Sequence, residues 1–308
     1  MVYVAENVSL GWKIESTFGT APTTIDDWIG IVTGSPTLNV RNNYSPVHAK
    51  RPSGREVFKQ LPLKKEVVGS LNIIPQDGYP FYFAMGSSVD TDEGGYYKHV
   101  LTTGNSLPSF TIQKAYIDTT VSSYNWVGNM VNKLSCKGDK ESHLKLSMDL
   151  IGKKPVSLGT SYDTVSSSSK STYFFDETSE FKLWGTSFAR VEGFSLDISN
   201  KLRPKYYYND DNDKWLSEII LGKVEYVLKA SIVVDDGEIL SELISEQTPF
   251  SASIKFERSS TDKLEFAFTD CVLREAQHEI PDEGEIIVPV SITPRTVTVN
   301  VYDDIASY

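Results

Sequence analysis

The clearest pattern in the chain is a period of two. Between positions 144 and 150 the apolar Leu144, Leu146, Met148 and Leu150 alternate with Lys145, Ser147 and Asp149, as a strand does when one face is buried and the other wet. Further segments of β character fall at Thr37–Val40, Val67–Ile74, Ser109–Gln113, Val121–Val127, Ser195–Ile198, Val224–Val234, Ser251–Glu257, Leu264–Phe268, Ile286–Ile292 and Thr296–Tyr302. Turn residues such as Lys137-Gly138-Asp139 and Asp282-Glu283-Gly284 separate them, so the chain predicts sandwiches or barrels of many short strands. The period changes twice. Tyr79–Met85 follows Asp77-Gly78, with Pro80 in its first turn and Gly86 as a stop, and Ile239, Leu240, Leu243 and Ile244 follow Asp235-Asp236-Gly237 at the spacing of one helical face. Each predicts a short helix.

These features recur in one order. Leu38 and Val40 correspond to Leu196 and Ile198 at a shift of 158, and Asp77-Gly78 corresponds to Asp236-Gly237 at 159. Leu144, Leu146, Met148 and Leu150 correspond to Ile286, Val288, Val290 and Ile292 at 142. The chain reads as two diverged copies of one unit, at residues 1–159 and 173–308, joined by a Ser-rich linker at 160–172 that contains Ser166-Ser167-Ser168-Ser169. The drop in shift places an extra segment in the first copy. Ser87–Ser106, with Gly94-Gly95-Tyr96-Tyr97, is expected there as a surface loop. The predicted fold class is mainly β, with two tandem sandwich or barrel domains, each flanked by a short helix. A chance alignment of two β-rich halves is the alternative, and the shared order argues against it.

Composition narrows the function. No stretch approaches the roughly 20 apolar residues of a membrane helix, and Met1–Leu10 lacks the form of a secretory signal, so no membrane partner is expected. A formal net charge of −11 argues against a surface that grips phosphates. Cys136 and Cys271 are too few for a disulfide framework and read as free thiols. His48, His99, His143 and His278 are isolated, and neither a glycine-rich phosphate loop nor a Gly-x-Ser-x-Gly elbow occurs. Asp210-Asp211-Asn212-Asp213 is rich in oxygen ligands but lacks the glycine and later glutamate of a calcium loop, and reads as a solvated turn. No catalytic, cofactor-binding or metal-binding residue is assigned, and an enzyme is not expected. Trp12, Trp28, Trp126, Trp184 and Trp215 fit a sugar-binding face, a protein interface or the core.

The stretch Gly11-Trp12-Lys13-Ile14-Glu15-Ser16-Thr17-Phe18-Gly19-Thr20-Ala21-Pro22 resembles the opening of tail tube proteins of tailed bacteriophages and archaeal tailed viruses. Pro108-Ser109-Phe110-Thr111-Ile112 and the segment from Tyr124 through Gly128 to Leu134 look like that family's strand and its tyrosine-x-x-x-glycine stretch. The resemblance covers most of the first copy. In the second, Phe266 and Thr269 stand roughly where the aromatic residue and glycine belong. The resemblance implies a tail-tube-like β-sandwich whose subunits close into rings, stack and form the conduit for DNA ejection. It implies a virion tail protein, assembled in the host cytoplasm, that uses no cofactor. Its partners would be itself and the tape measure, terminator and baseplate proteins, with genomic DNA passing without specific binding. Single-copy relatives form rings of six, so two copies per chain imply a trimer with pseudo-six-fold symmetry.

The family also implies a long loop that reaches the next ring. The matching segments are Tyr44–Leu61, with Arg51, Arg55 and Phe58, and Leu202–Trp215, with Tyr206, Tyr207 and Tyr208. Aromatic residues and arginine are the types that anchor interfaces; ordinary surface loops are the alternative. The N-terminal arm through Asp27 and the extra segment 87–106 are second candidates. Two readings of the acidity are open: carboxylates facing a lumen would repel passing DNA, or the charge keeps the free subunit soluble. A terminator or baseplate ring of related fold, and a tandem β-sandwich carbohydrate-binding module, are the competing functions.

Overall fold

The computed structural model describes residues 8–25, 27–29, 31–32, 36–48, 57, 59–116, 123–139, 142–159, 161–165, 178–187, 191–207, 214–233, 248–276 and 286–308. The mainly β fold expected from the pattern is what it contains. In the first half the strands are β1 (Val8–Ile14), β2 (Asp27–Trp28), β3 (Ile31–Val32), β4 (Thr37–Val47), β5 (Lys59–Ile74), β6 (Gly86–Asp92), β7 (Tyr97–Thr103), β8 (Phe110–Tyr116), β9 (Ser123–Asp139), β10 (Lys145–Gly152) and β11 (Lys154–Gly159). The second half has β12 (Thr178–Leu183), β13 (Thr186–Ser187), β14 (Val191–Ser199), β15 (Arg203–Lys205), β16 (Glu218–Ile220), β17 (Glu225–Val233), β18 (Phe250–Ser259), β19 (Asp262–Ala276), β20 (Ile287–Thr293) and β21 (Thr296–Asp303).

One antiparallel sheet runs across both halves in the order β4–β5–β10–β9–β14–β17–β20–β19. Its two sets of four have the same pairing order. They meet where Lys133–Asp139 of β9 pairs with Gly193–Ser199 of β14. Opposite it lie two further sheets, β2–β1–β8–β9–β11 and β13–β12–β18–β19–β21–β7–β6. Strands β9 and β19 each belong to two sheets and turn between them at a left-handed residue. In β9 this is Gly128, at φ 70°, where a Cβ would meet that of Lys153 at 2.7 Å. In β19 it is Asp270, at φ 49°, and aspartate is among the few side chains that tolerate this region. Phe266 pairs with Ile254 as Trp126 pairs with Ile112. The left-handed residue of β19 is thus one position beyond Thr269.

Alternation accounts for the packing. In β10, β14 and β20 every second residue (Leu146, Met148, Leu150; Phe194, Leu196, Ile198; Val288, Val290, Ile292) is buried against the facing sheets. Among the described residues one large buried cluster runs through both halves, with a small second one at Leu107, Met130 and Leu202. The helix predicted over 79–85 forms as α1 (Tyr79–Met85). The Asp77 carboxylate accepts the Tyr79 N–H at 3.1 Å, Pro80 fits the first turn, and Gly86 ends the helix at φ 86° with its N–H on the Tyr82 carbonyl. The helix buries Phe81 and Phe83; Phe81 meets Phe266 of the second half with ring centroids 5.4 Å apart. The second predicted helix, over 239–244, lies outside the described residues.

Two expectations are corrected. Ser87–Ser106 is not a loop standing off the surface: it forms the hairpin β6–β7, and β7 pairs with β21, the last strand of the chain. The alternation of Tyr97, His99 and Leu101 carries enough apolar and buried surface to dock there, whereas attention to Gly94-Gly95 sees only the turn. Lys137-Gly138-Asp139 is not a turn but the end of β9, because β14 supplies backbone partners for all three residues.

Candidate assembly surfaces

The N-terminal motif gathers around one buried carboxylate. Glu15, 7% exposed, follows β1. Its Oε1 accepts the Thr111 hydroxyl and the Gly128 N–H, both at 2.7 Å, and its Oε2 accepts the Ser109 hydroxyl and the Gly19 N–H, both at 2.8 Å. Four donors satisfy a charge that would otherwise be costly to bury. Phe18 lies against Gly128 beneath the ammonium of Lys153, which is 5.4 Å from the ring centroid. The glutamate, aromatic residue and glycines of the motif therefore fix the bend of β9, and through it the strand end that meets β14.

The long sheet has one buried face and one polar face. Along β10, β9, β14, β17 and β20 the polar face presents Lys145, Ser147, Asp149, Lys133, Ser135, Lys137, Ser195, Asp197, Ser199, Lys229 and Ser291, in register across the strands. Lys133 pairs with Asp197 at 3.1 Å, and Asp197 also accepts the Ser135 hydroxyl at 2.5 Å. A cavity of about 470 Å³ opens on this face, lined by Lys137, Ser195, Lys229, Ser231, Glu275 and Ser291 among others. The sheet also has two edges. Among the described residues, β4 has no strand beside it opposite β5, and Val272–Ala276 of β19 has none opposite β20.

Strands β4 and β5 form a long hairpin, so the flanks of the segment Tyr44–Leu61 are strand. Arg51, Arg55 and Phe58 lie outside the described residues, as does Tyr208. Tyr44 is 55% exposed, and Leu61 and Leu63 on the facing strand are 39% and 50% exposed. These leucines were legible in the alternation of Lys59-Gln60-Leu61-Pro62-Leu63-Lys64, which a loop assignment conceals. The second predicted segment lies against this hairpin in the same chain. The Tyr206 hydroxyl donates to Glu66, and burial followed by that hydrogen bond raises the phenol pKa. Lys64 stands 4.5 Å from the Tyr206 ring centroid, Lys65 stands 5.3 Å from that of Trp215, and the Lys65 N–H donates to the Lys214 carbonyl at 2.8 Å. Tyr206 and Trp215 thus serve contacts within the chain. Tyr207, 57% exposed, faces outward.

Residues of chemical interest elsewhere are absorbed by packing. Burial pushes both cysteine thiols up, Cys271 to about 12, which makes them poor nucleophiles. Trp12 is fully buried, and Trp126 and Trp184 pack on the core, so these three do not form a sugar-binding platform. Among the described residues no group of three histidine, cysteine or acidic side chains is placed to hold a metal ion; Asp210–Asp213 lies outside them. No helix is long and apolar enough to cross a membrane.

Comparison with curated proteins finds no match. A family model described as phage tail tube protein matches residues 5–298, which takes in both halves, the motif around Glu15 and both sheet edges. The chain therefore belongs to the phage tail tube protein family and is a structural component of the virion tail.

Proposed function

We propose that this chain assembles head to tail into three-membered rings that stack into the tail tube. The observation that carries the reading is the junction β9·β14. There the outer strand of one four-stranded set pairs with the first strand of the next, and the same two kinds of strand are left open at β19 and β4. A tandem duplication accounts for this recurrence. Three chains would then present six equivalent junctions, three internal and three between neighbours, and a closed ring leaves no edge of the long sheet unpaired.

The internal junction supports a register for the external one. Leu134 faces Met148 on β10 and Ile198 on β14. Ala276 faces Val290 as Leu134 faces Met148, and Val40 faces Val67 as Ile198 faces Tyr226. Ala276 of one chain is therefore expected opposite Val40 of the next, with Glu275 opposite Arg41. The polar face would line the lumen. It carries charges of both signs among hydroxyl groups, with Lys133 paired to Asp197, so low adhesion of passing DNA would rest on mixed charge and small polar groups instead of an excess of acid. Stacking is assigned to the β4–β5 hairpin through Tyr44, Leu61 and Leu63 and to Tyr207 beside it, with Arg51, Arg55, Phe58 and Tyr208, outside the described residues, as further candidates by residue type. Tape measure, terminator and baseplate proteins would meet the ends of the stack.

Electron microscopy of the purified protein tests this reading. Tubes with three chains per ring support it; six chains per ring, or rings that never stack, overturn it, and the latter would place the chain at a terminator or baseplate. Deleting residues 50–58 should leave soluble rings and abolish tubes.

A further inference from the structure

His99 lies on β7, in the hairpin that the first half lends to the second, and its side chain is fully buried. Both ring nitrogens face carboxylates: Nδ1 is 2.7 Å from Asp90 Oδ1 on β6, and Nε2 is 3.2 Å from Asp303 Oδ1 on β21. A neutral imidazole has one N–H and would turn a lone pair toward one of these carboxylates; only the imidazolium donates to both. Asp303 also accepts the Ile305 N–H at 2.9 Å and the Tyr308 hydroxyl, and Tyr308 in turn accepts the Gly78 N–H at 2.9 Å. The Tyr308 ring lies on His99, with centroids 4.3 Å apart, and on Tyr79 of α1 at 4.8 Å. The same charged ring thus ties together the inserted hairpin, the final strand and the C-terminal tail, which in turn holds the start of α1.

We infer that charged His99 is a pH-operated latch, which fastens the β6–β7 hairpin and the tail 304–308 to the second half and releases both in mildly alkaline conditions. Among the described residues the titratable groups around it are Asp90 from β6, Tyr97 from β7, Asp303 from β21 and Tyr308 from the tail, with Asp77 beside Tyr308 and Tyr82 beside Asp90. All are acidic or phenolic. Lys98, next in sequence, stands over the Tyr302 ring at 5.6 Å instead. Burial by itself lowers the imidazole pKa, but the hydrogen bonds to Asp303 and Asp90 and the charge of both outweigh it, and the pKa lies above its ordinary 6.5. A raised folded-state value means that the contribution is complete below about pH 6.5 and is lost as pH rises through the folded pKa.

Hydrogen exchange of the full-length protein between about pH 5.5 and pH 9, corrected for intrinsic exchange, tests the latch. The opening constant of amides 97–103 and 304–308 should be flat below about pH 6.5 and rise about tenfold per pH unit above it until the folded pKa is passed. Amides at the β9·β14 junction should not follow. A flat profile in the hairpin, or the same rise at both places, overturns the proposal. His99→Gln should remove the pH dependence, while Tyr308→Phe should loosen the tail and keep it. Should His99→Gln not fold, nitrogen NMR of the wild-type ring near pH 7 decides: two protonated nitrogens support the latch, and a neutral tautomer sinks it.

Discussion

The junction β9·β14 and the open edges β4 and β19 have the same pairing order around them and different burial. At the junction Ile198 and Leu196 are 0% and 1% exposed, and Leu134 and Cys136 opposite them are 0% and 1% exposed. Their counterparts on the open edge, Val40 and Leu38, are only half-buried, and so is Ala276, the counterpart of Leu134 on the other edge. The side chains are alike in type. What differs is whether a strand stands beside them, so the difference measures what a neighbouring subunit would cover.

The largest expected effect comes from a charge at either place. Ile198→Asp puts an unpaired carboxylate in the core and should lower the stability of the chain by about 4 kcal/mol or more. Val40→Asp should cost the isolated subunit about 1 kcal/mol or less while abolishing tubes. Urea denaturation read beside electron microscopy compares them, and equal loss of stability would refute the comparison.

Next come the bends that aim the two strand ends. Glu15→Gln leaves part of a four-donor site unsatisfied and should cost about 2 kcal/mol. Gly128→Ala, at φ 70° with Lys153 and Phe18 in the way, should cost about 1–2 kcal/mol. Asp270→Gly relieves the same backbone conformation, loses only an exposed ion pair to Arg295 at 3.0 Å, and should change stability by less than about 1 kcal/mol. Thermal denaturation ranks the three, and a larger loss for Asp270→Gly than for Gly128→Ala would mean that the bends are not comparable.

The smallest effect tests the register. A cross-strand ion pair contributes roughly 0.2–1 kcal/mol, so Arg41→Glu or Glu275→Arg should each raise the concentration needed for assembly a few-fold. The double exchange should recover most of it. Recovery will be partial, because Arg41 also pairs with Glu66 at 3.5 Å within its own chain. Sedimentation of a concentration series measures this, and no recovery would mean another register.

Much of the fold was legible because a strand announces itself locally. The alternation of Leu144 to Leu150 and the Asp77-Gly78, Pro80 and Gly86 signals around α1 depend on side chains a few residues apart, and both elements formed where they were read. The motif at Glu15 was legible as a resemblance, but its reason was not: beside the local Gly19, three of the four donors, Ser109, Thr111 and Gly128, come from 94 to 113 residues away. Residue type singles out the proposed contact residues Tyr44, Tyr206, Tyr207 and Trp215 alike; packing leaves Tyr44 and Tyr207 more than half exposed and lays Tyr206 and Trp215 against the β4–β5 hairpin of the same chain.

By itself the sequence determined a mainly β chain, the place of its first helix and the family motif, since period, turn chemistry and local spacing are properties of neighbouring residues. The tertiary structure alone decided that Lys137-Gly138-Asp139 extends a strand, that the segment after Gly86 pairs with the last strand, and which edges of the long sheet stay open among the described residues. The reason is physical: a backbone N–H and C=O become strand or loop according to what lies beside them, and that partner comes from more than 50 residues away at β9·β14 and about 200 away at β7·β21.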